Sequence, residues 1–108
     1  MHRKVLTQYF NRIDKVGEQL HLRKKSIILS KFIISKQYER NQLLIGCPMR
    51  HIGAALYISS ILSDIRATQM QVAVASGLCE QTIRTGSCII RRDEKFVDEI
   101  IAENESLD

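Results

Sequence analysis

The strongest structural signals of the sequence lie in RATQMQVAVASGLCEQTIR, residues 66–84. Within it, Thr68 and Gln71 have the spacing of a capping box, in which each side chain satisfies a backbone N–H that the first helical turn leaves unpaired. Gly77 can adopt the left-handed backbone conformation in which many helices end. The stretch therefore predicts one helix from Thr68 to about Gly77 and a second helix over residues 80–92.

The spacing of Ala73, Gly77 and Ile83 is typical of a helix-turn-helix. A small residue lets the second helix cross the first closely, glycine turns the chain, and the later apolar residue fills the crossing. Val72 and Leu78 complete the predicted interior of the pair. Because alanine and glycine are common residues, the same spacing also fits two adjacent helices joined by an ordinary turn.

Helical periodicity continues on both sides of this pair, and no stretch alternates with the period of a strand. We predict one helix over residues 5–20, a second over residues 22–44, and a third that begins at Pro48, where proline's missing N–H has no cost. The stretch GAALYISSIL, residues 53–62, is apolar or small on every side. This composition is typical of a helix surrounded by others, so we predict an all-α fold with a central third helix.

Charge is distributed unevenly along the chain. Residues 1–92 contain 15 Lys and Arg and five Asp and Glu, a net charge of +10, whereas residues 93–108 contain one Lys and seven acids, a net charge of −6. A basic body favours a polyanionic partner, because neutralising phosphates releases condensed counterions. Ordinary solubility charge is the alternative interpretation.

The acidic segment also carries Phe96, Val97, Ile100 and Ile101 at helical spacing. We therefore predict a short, acidic, amphipathic C-terminal helix within residues 93–108. Its carboxylates could fold over the basic body and compete with DNA. Alternatively, the helix packs through Phe96 and Ile100 and leaves its acids in solvent.

Several function classes are not expected. No apolar run is long enough to span a bilayer, and the basic N-terminus lacks the features of a secretory signal, so we expect an intracellular protein. Cys47, Cys79 and Cys88 form no C-x-x-C pair, and no phosphate loop, zinc ligand set or nucleophile motif is present. We therefore predict no enzyme activity, metal, cofactor, membrane contact or small-molecule substrate.

Residues 66–84 resemble the end of the cyclin-like repeat in the TFIIB-type general transcription factors of archaea and eukaryotes. IGCPMRHIGAALYISSIL, residues 45–62, is similar to the family's Gly-rich loop and Ala-rich central helix, and residues 4–44 have room for two preceding helices. The chain looks more like the family's second, DNA-reading repeat than its first. The residues that indicate this are Thr68-Gln69, which follow a basic residue, and Thr82-Ile83-Arg84. The resemblance covers about ninety residues.

This resemblance implies a five-helix cyclin-like domain over residues 1–92, with the helix-turn-helix at residues 68–92 and the acidic helix, residues 93–108, outside it. It further implies that helix five reads promoter DNA beside the TATA box and that another face meets TATA-binding protein. Double-stranded DNA, TATA-binding protein and RNA polymerase are therefore the expected partners. The expected location is the cytoplasm of an archaeon or the nucleus of a eukaryote.

Arg84 matches the family's base-contacting arginine by position, and its guanidinium suits guanine or phosphate equally. Gln81, on the same helix face, stands where the family more often has a small apolar residue. Hydroxyls and amides near helix N-termini can bond phosphates, although capping and solvent contact are the alternative roles. The further candidate DNA contacts are Thr82, Thr85, Thr68, Gln69, Arg91, Arg92 and Arg50.

The sequence also departs from the family. Gly86 and Ser87 stand where the family's recognition helix usually continues with a basic residue and a tyrosine. Glycine in a helix interior costs about 1 kcal/mol relative to alanine. We therefore expect helix five to be short or bent near Gly86. Cys47 replaces the basic residue of the loop before helix three, with Arg50 as the nearest substitute. One repeat without a zinc ribbon corresponds to a fragment of a TFIIB-like factor or a small stand-alone relative. The alternative function is a protein-binding cyclin-box adaptor, or a transcriptional regulator, without direct base recognition.

Overall fold

The computed structural model describes residues 2–44, 47–63 and 66–107. This part of the chain contains six α-helices and one short 3-10 helix, without strands, so the all-α prediction is confirmed. The α-helices are α1 (His2–Gln19), α2 (Lys24–Glu39), α3 (Pro48–Ile61), α4 (Gln69–Ser76), α5 (Glu80–Arg92) and α6 (Glu94–Ser106), and the 3-10 helix is Gln42–Leu44.

Helix α3 lies at the centre of the bundle, as its composition predicts. It contacts α1, α2, α4 and α5, and residues 51–56 and 58–60 are all buried. Its Ile52 and Leu56 pack with Ile13 of α1 and Leu29 of α2, and all four side chains are fully buried. Each such side chain stabilises the fold by roughly 1.5–3 kcal/mol relative to an exposed one. Helices α4 and α5, the predicted helix-turn-helix, both pack against α3, so this core fixes their position.

The prediction of one helix over residues 22–44 is wrong in its bounds. Helix α2 begins at Lys24 and ends at Glu39, and Asn41 then adopts a positive φ of 58°. Asparagine tolerates this left-handed conformation better than most residues, so the chain turns here before the 3-10 helix. Apolar periodicity alone did not reveal this break.

Helix α6 is part of the bundle, which therefore has six helices rather than the predicted five. It has 13 residues, and its Phe96 and Ile100 belong to the main core, each only 1% exposed. The Arg40 guanidinium lies 4.7 Å from the centre of the Phe96 ring and pairs with Asp93 and Glu99. Because α6 packs on α2 and α5, these carboxylates meet Arg40, the residue that follows the end of α2. The burial of Phe96 and Ile100 agrees with the packed-helix interpretation, whereas the pairing of Asp93 and Glu99 with Arg40 is a contact of the kind that the screening interpretation expects.

None of the described helices is both long and apolar enough to cross a bilayer.

Candidate nucleic-acid interface

Helix α4 begins with the predicted capping box. The Gln71 N–H donates to Thr68 Oγ1 at 3.1 Å, and the Thr68 N–H donates to Gln71 Oε1 at 2.9 Å. These two bonds satisfy donors that would otherwise be unpaired at the start of the helix. The Thr68 hydroxyl therefore acts as a cap, the alternative role considered for it above.

Helix α4 ends at Gly77 in the left-handed conformation, with φ of 71° and ψ of 29°. The next residue, Leu78, donates its N–H to the Ala73 carbonyl at 2.8 Å. This bond closes the helix end and directs the chain into α5. The predicted turn glycine is therefore confirmed.

The interior of the helix-turn-helix is held by Ile83, which is fully buried with Val72 and Ala73. Ile83 also reaches α3 at Gly53, where an added Cβ would lie only 2.6 Å from Ile83 Cδ1. The missing side chain of Gly53 thus makes room for Ile83. The pair of helices is consequently fixed to the central helix through this residue.

Helix α5 runs without interruption from Glu80 to Arg92, so the expectation that it is short, ending near Gly86, is wrong. An added Cβ at Gly86 would lie 3.0 Å from Ala54 Cβ and 3.4 Å from the Arg50 carbonyl oxygen. Gly86 therefore faces α3 at a close approach of the two helices, and Ser87 beside it is 1% exposed. Packing against α3 offsets the weak helix propensity of glycine.

The outer face of α5 carries Arg84, whose side chain is 56% exposed. Its Nη2 donates to Glu80 Oε1 at 3.2 Å, and its Nε donates to Gln69 Oε1 at 3.3 Å. Gln69 in turn donates from Nε2 to the Tyr57 hydroxyl at 3.4 Å. The guanidinium is thus oriented toward the start of α4 while it stays accessible to solvent.

A second group of candidate residues lines an open groove of about 280 Å³ beside the start of α5. The lining residues are Arg50, Cys79, Gln81, Thr82 and Thr85. Cys79 Sγ lies 3.0 Å from Thr82 Oγ1, and this hydrogen bond lowers the pKa of the Cys79 thiol. Folding therefore brings Arg50 of α3 next to three of the α5 candidates.

The remaining candidates lie apart from this groove. The Arg91 guanidinium lies 6.0 Å from the centre of the Tyr57 ring, and Arg92 is exposed at the end of α5. Within residues 66–92, four arginines oppose the single acid Glu80, a net charge of +3. Contacts thus join most of the candidates into two groups, one around Arg84 and one around Arg50.

Three residues of this surface, Cys79, Glu80 and Tyr57, were not among the sequence candidates. Glu80 lies four residues before Arg84, a spacing that favours an ion pair on one helix face, so the sequence contained a signal for it. Tyr57 contacts both Gln69 and Arg91 from another helix, and no local pattern indicates this contact.

This arrangement offers a guanidinium, amides and hydroxyls on one basic surface, which are the groups that bond phosphates and base edges. Where residues are described, no three His, Cys, Asp or Glu side chains converge as a metal site would require. No protein-family model matches the chain, and neither a curated protein nor a solved structure is significantly similar to it.

Proposed function

We propose that this protein is a DNA-binding domain that docks α5 in the major groove. One observation carries the proposal: an exposed arginine, Arg84, stands on the outer face of a capped helix-turn-helix whose residues 66–92 have a net charge of +3. Helix-turn-helix domains present their second helix to the groove, and a basic surface favours phosphates.

In this proposal the two groups of residues have different roles. Arg84 and Gln81 contact base edges, because both are exposed on α5 and both side chains can form paired hydrogen bonds with a base. Arg50, Thr82 and Thr85 bind a phosphate through the groove that they line. Gln69, Arg91 and Arg92 flank this surface and add phosphate contacts, whereas the Thr68 hydroxyl is already used as a cap.

The resemblance to TFIIB-type factors supports a more specific proposal. The chain is a cyclin-like domain of a TFIIB-like initiation factor, or a small stand-alone relative, that binds promoter DNA beside the TATA box together with TATA-binding protein. RNA polymerase is a further partner under this proposal. The capping box, the turn at Gly77 and the burial of Ile83 agree with the motif that carries the resemblance.

Fluorescence anisotropy with a labelled duplex tests DNA binding directly. Affinity should fall steeply as salt concentration rises, and Arg84→Ala should cost about 1–3 kcal/mol if the side chain makes a specific contact. Arg12→Ala is the matched control, because Arg12 is an exposed arginine of α1 and that helix packs on α2, α3 and α4. Equal binding by the Arg84 and Arg12 variants would refute the role of α5.

The promoter-specific part needs a separate experiment. A duplex with a TATA box, with and without TATA-binding protein, should show a joint complex that forms more tightly than either binary complex. Binding to DNA without any gain from TATA-binding protein would leave the general DNA-binding proposal intact and reject the initiation-factor assignment.

A protein-binding adaptor is the second candidate, and exposed apolar residues of α4 favour it. Val74 is 74% exposed and Met70, one turn earlier, is 54% exposed. Exposed apolar side chains one helical turn apart can contribute to a protein interface. A complex with TATA-binding protein that forms without DNA, and that Met70→Ser with Val74→Ser weakens while Arg84→Ala does not, would support this function.

A further inference from the structure

A small apolar groove of about 130 Å³ lies between the ends of α3 and α5 and the middle of α6. Seven of its eight lining residues are Ile, Leu or Val, and the eighth is Arg91. Ile90 and Ile100 of this lining are buried, whereas Ile101 is 39% exposed. An apolar cavity of about 150 Å³ can hold a benzene molecule, so the groove has room for about one large aliphatic side chain.

The groove leaves apolar surface in contact with water. Besides Ile101, the lining residues Ile61, Leu62 and Val97 are only half-buried. Removing such surface from water stabilises a complex. The charges beside the groove indicate which partner covers it.

Charges of opposite sign lie on the two sides of the groove. Arg91 is on the α5 side. On the α6 side, Asp98 and Glu105 lie three residues before and four residues after Ile101, so they share its exposed face of the helix. No ion pair joins any of these three charges to a described residue, and the Arg91 guanidinium lies 6.0 Å from the centre of the Tyr57 ring.

A groove with one cationic and one anionic side is complementary to a second copy of itself. When two copies meet around a two-fold axis that runs along the groove, the α5 side of each copy meets the α6 side of the other. Each Arg91 then faces the partner's Asp98 and the partner's Glu105. An axis across the groove would instead bring like charges together, which is unfavourable.

We propose that this groove is the contact surface of a two-fold dimer of the chain. The partner's Ile101 covers the groove, and Arg91 pairs with the acids of the partner's α6. Because a guanidinium has several N–H donors, this pairing leaves Arg91 able to contact a phosphate as well. The proposal rests on the groove and the charges beside it and does not depend on DNA binding.

Sedimentation equilibrium of the full chain, without DNA and over a range of concentrations, tests the dimer. The native chain should change from monomer to dimer as its concentration rises. Ile101→Ser should weaken dimerisation by about tenfold or more, because each of the two copies loses an apolar contact. Ile28→Ser is the matched control and should keep the dimer, because Ile28 is 38% exposed on α2, which does not line the groove.

Charge reversal tests the orientation of the two copies. Arg91→Glu should prevent dimerisation, and so should Asp98→Lys combined with Glu105→Lys, because like charges then meet across the contact. An equimolar mixture of the two variants should form a heterodimer, since every reversed charge in it faces a charge of opposite sign. Sedimentation with a fluorescent label on one variant detects this heterodimer. No partner other than a second copy produces this pattern.

Three results would overturn the proposal. The first is a native chain that remains monomeric up to about 1 mM, a concentration at which even a weak complex forms. The second is a dimer that Ile101→Ser and Ile28→Ser weaken equally. The third is a mixture of the two charge-reversed variants that stays monomeric although far-UV circular dichroism shows both to be folded. Because no DNA is present, none of these results bears on the proposed DNA-binding function.

Discussion

Gly53→Ala is the most informative test of how the helix-turn-helix is attached to the bundle. The new Cβ would lie 2.6 Å from Ile83 Cδ1, whereas two carbon atoms pack best at about 3.5–4.0 Å. Ile83 is fully buried, and Ser76 Oγ and Leu78 Cδ1 also lie within 4 Å of the new atom. The Ile83 side chain therefore has little room to move away.

Two opposing effects determine how much Gly53→Ala changes the free energy of unfolding. Alanine stabilises a helix interior by about 1 kcal/mol relative to glycine, whereas overpacking a core costs about 1–3 kcal/mol. The free energy of unfolding of Gly53→Ala should therefore fall by about 1 kcal/mol. On helix propensity alone, the same substitution would be stabilising.

A double-mutant cycle with Ile83→Val, measured by urea unfolding and far-UV circular dichroism, isolates the contact. In the native background, Ile83→Val should cost about 0.5–1.5 kcal/mol because it leaves a small cavity. In the Gly53→Ala background, the loss of Cδ1 should be neutral or stabilising, because the clashing methyl group is removed.

Gly17→Ala is the matched control for this cycle. Its Cβ would lie 2.9 Å from Ile27 Cγ1, so it produces a similar clash at a different residue. The effects of Gly17→Ala and Ile83→Val should simply add. Stabilisation by Gly53→Ala, or additivity of Gly53→Ala with Ile83→Val, would refute the proposed packing.

Four further predictions concern separate features. Gly77→Ala should lower the free energy of unfolding in urea by about 1 kcal/mol, because a φ of 71° is strained for alanine even though no atom lies within 4 Å of the added Cβ. Gly77→Asn should lose less stability, because asparagine tolerates this conformation better. Phe96→Ala should lose about 3–5 kcal/mol, and a loss below about 1 kcal/mol would contradict the place of α6 in the core. Glu80→Gln should tighten binding to an arbitrary duplex severalfold at low salt, with a gain that shrinks as salt rises. Thr82→Val should slow alkylation of Cys79 near neutral pH, as followed by mass spectrometry, because loss of the hydrogen bond raises the pKa of the thiol and leaves less thiolate.

The features that the sequence predicted best depend on residues close together in the chain. The capping box of Thr68 and Gln71, the turn at Gly77, the start of α3 at Pro48 and the bounds of α5 are all confirmed. Each of these features follows from backbone hydrogen bonds or allowed dihedral angles within a few residues. Such effects remain much the same whatever surrounds the segment.

The features that the sequence did not reveal depend on contacts between residues far apart in the chain. Gly86 weakens a helix locally, yet α5 continues through it because Ala54 and the Arg50 backbone pack against that position. Similarly, the sequence left two interpretations of the acidic segment open, and it is the contacts with other helices that place Phe96 and Ile100 in the core. Burial of a phenylalanine contributes more than the local preferences that argue against it.

In the candidate interface, too, some features follow from local sequence patterns and others from contacts between helices. The exposure of Arg84, Gln81 and Thr85 follows from their positions on α5 opposite the buried Ile83 and Gly86. The position of Arg50 beside Thr82 and the contact of Arg84 with Gln69 were not evident, because each joins two different helices. A periodic pattern shows which face of a helix is exposed but not which neighbour lies beside it.

Local patterns in the sequence are enough to predict that the chain is helical, where the helix-turn-helix begins and turns, and which α5 side chains face outward. Only the tertiary contacts place the six described α-helices in one bundle, make room for Ile83 at Gly53, and bring Arg50 beside Thr82. The physical reason is how far apart along the chain the interacting groups lie. Caps and turns are decided by groups a few residues apart, whereas packing and cavities depend on side chains that meet only after the helices have come together.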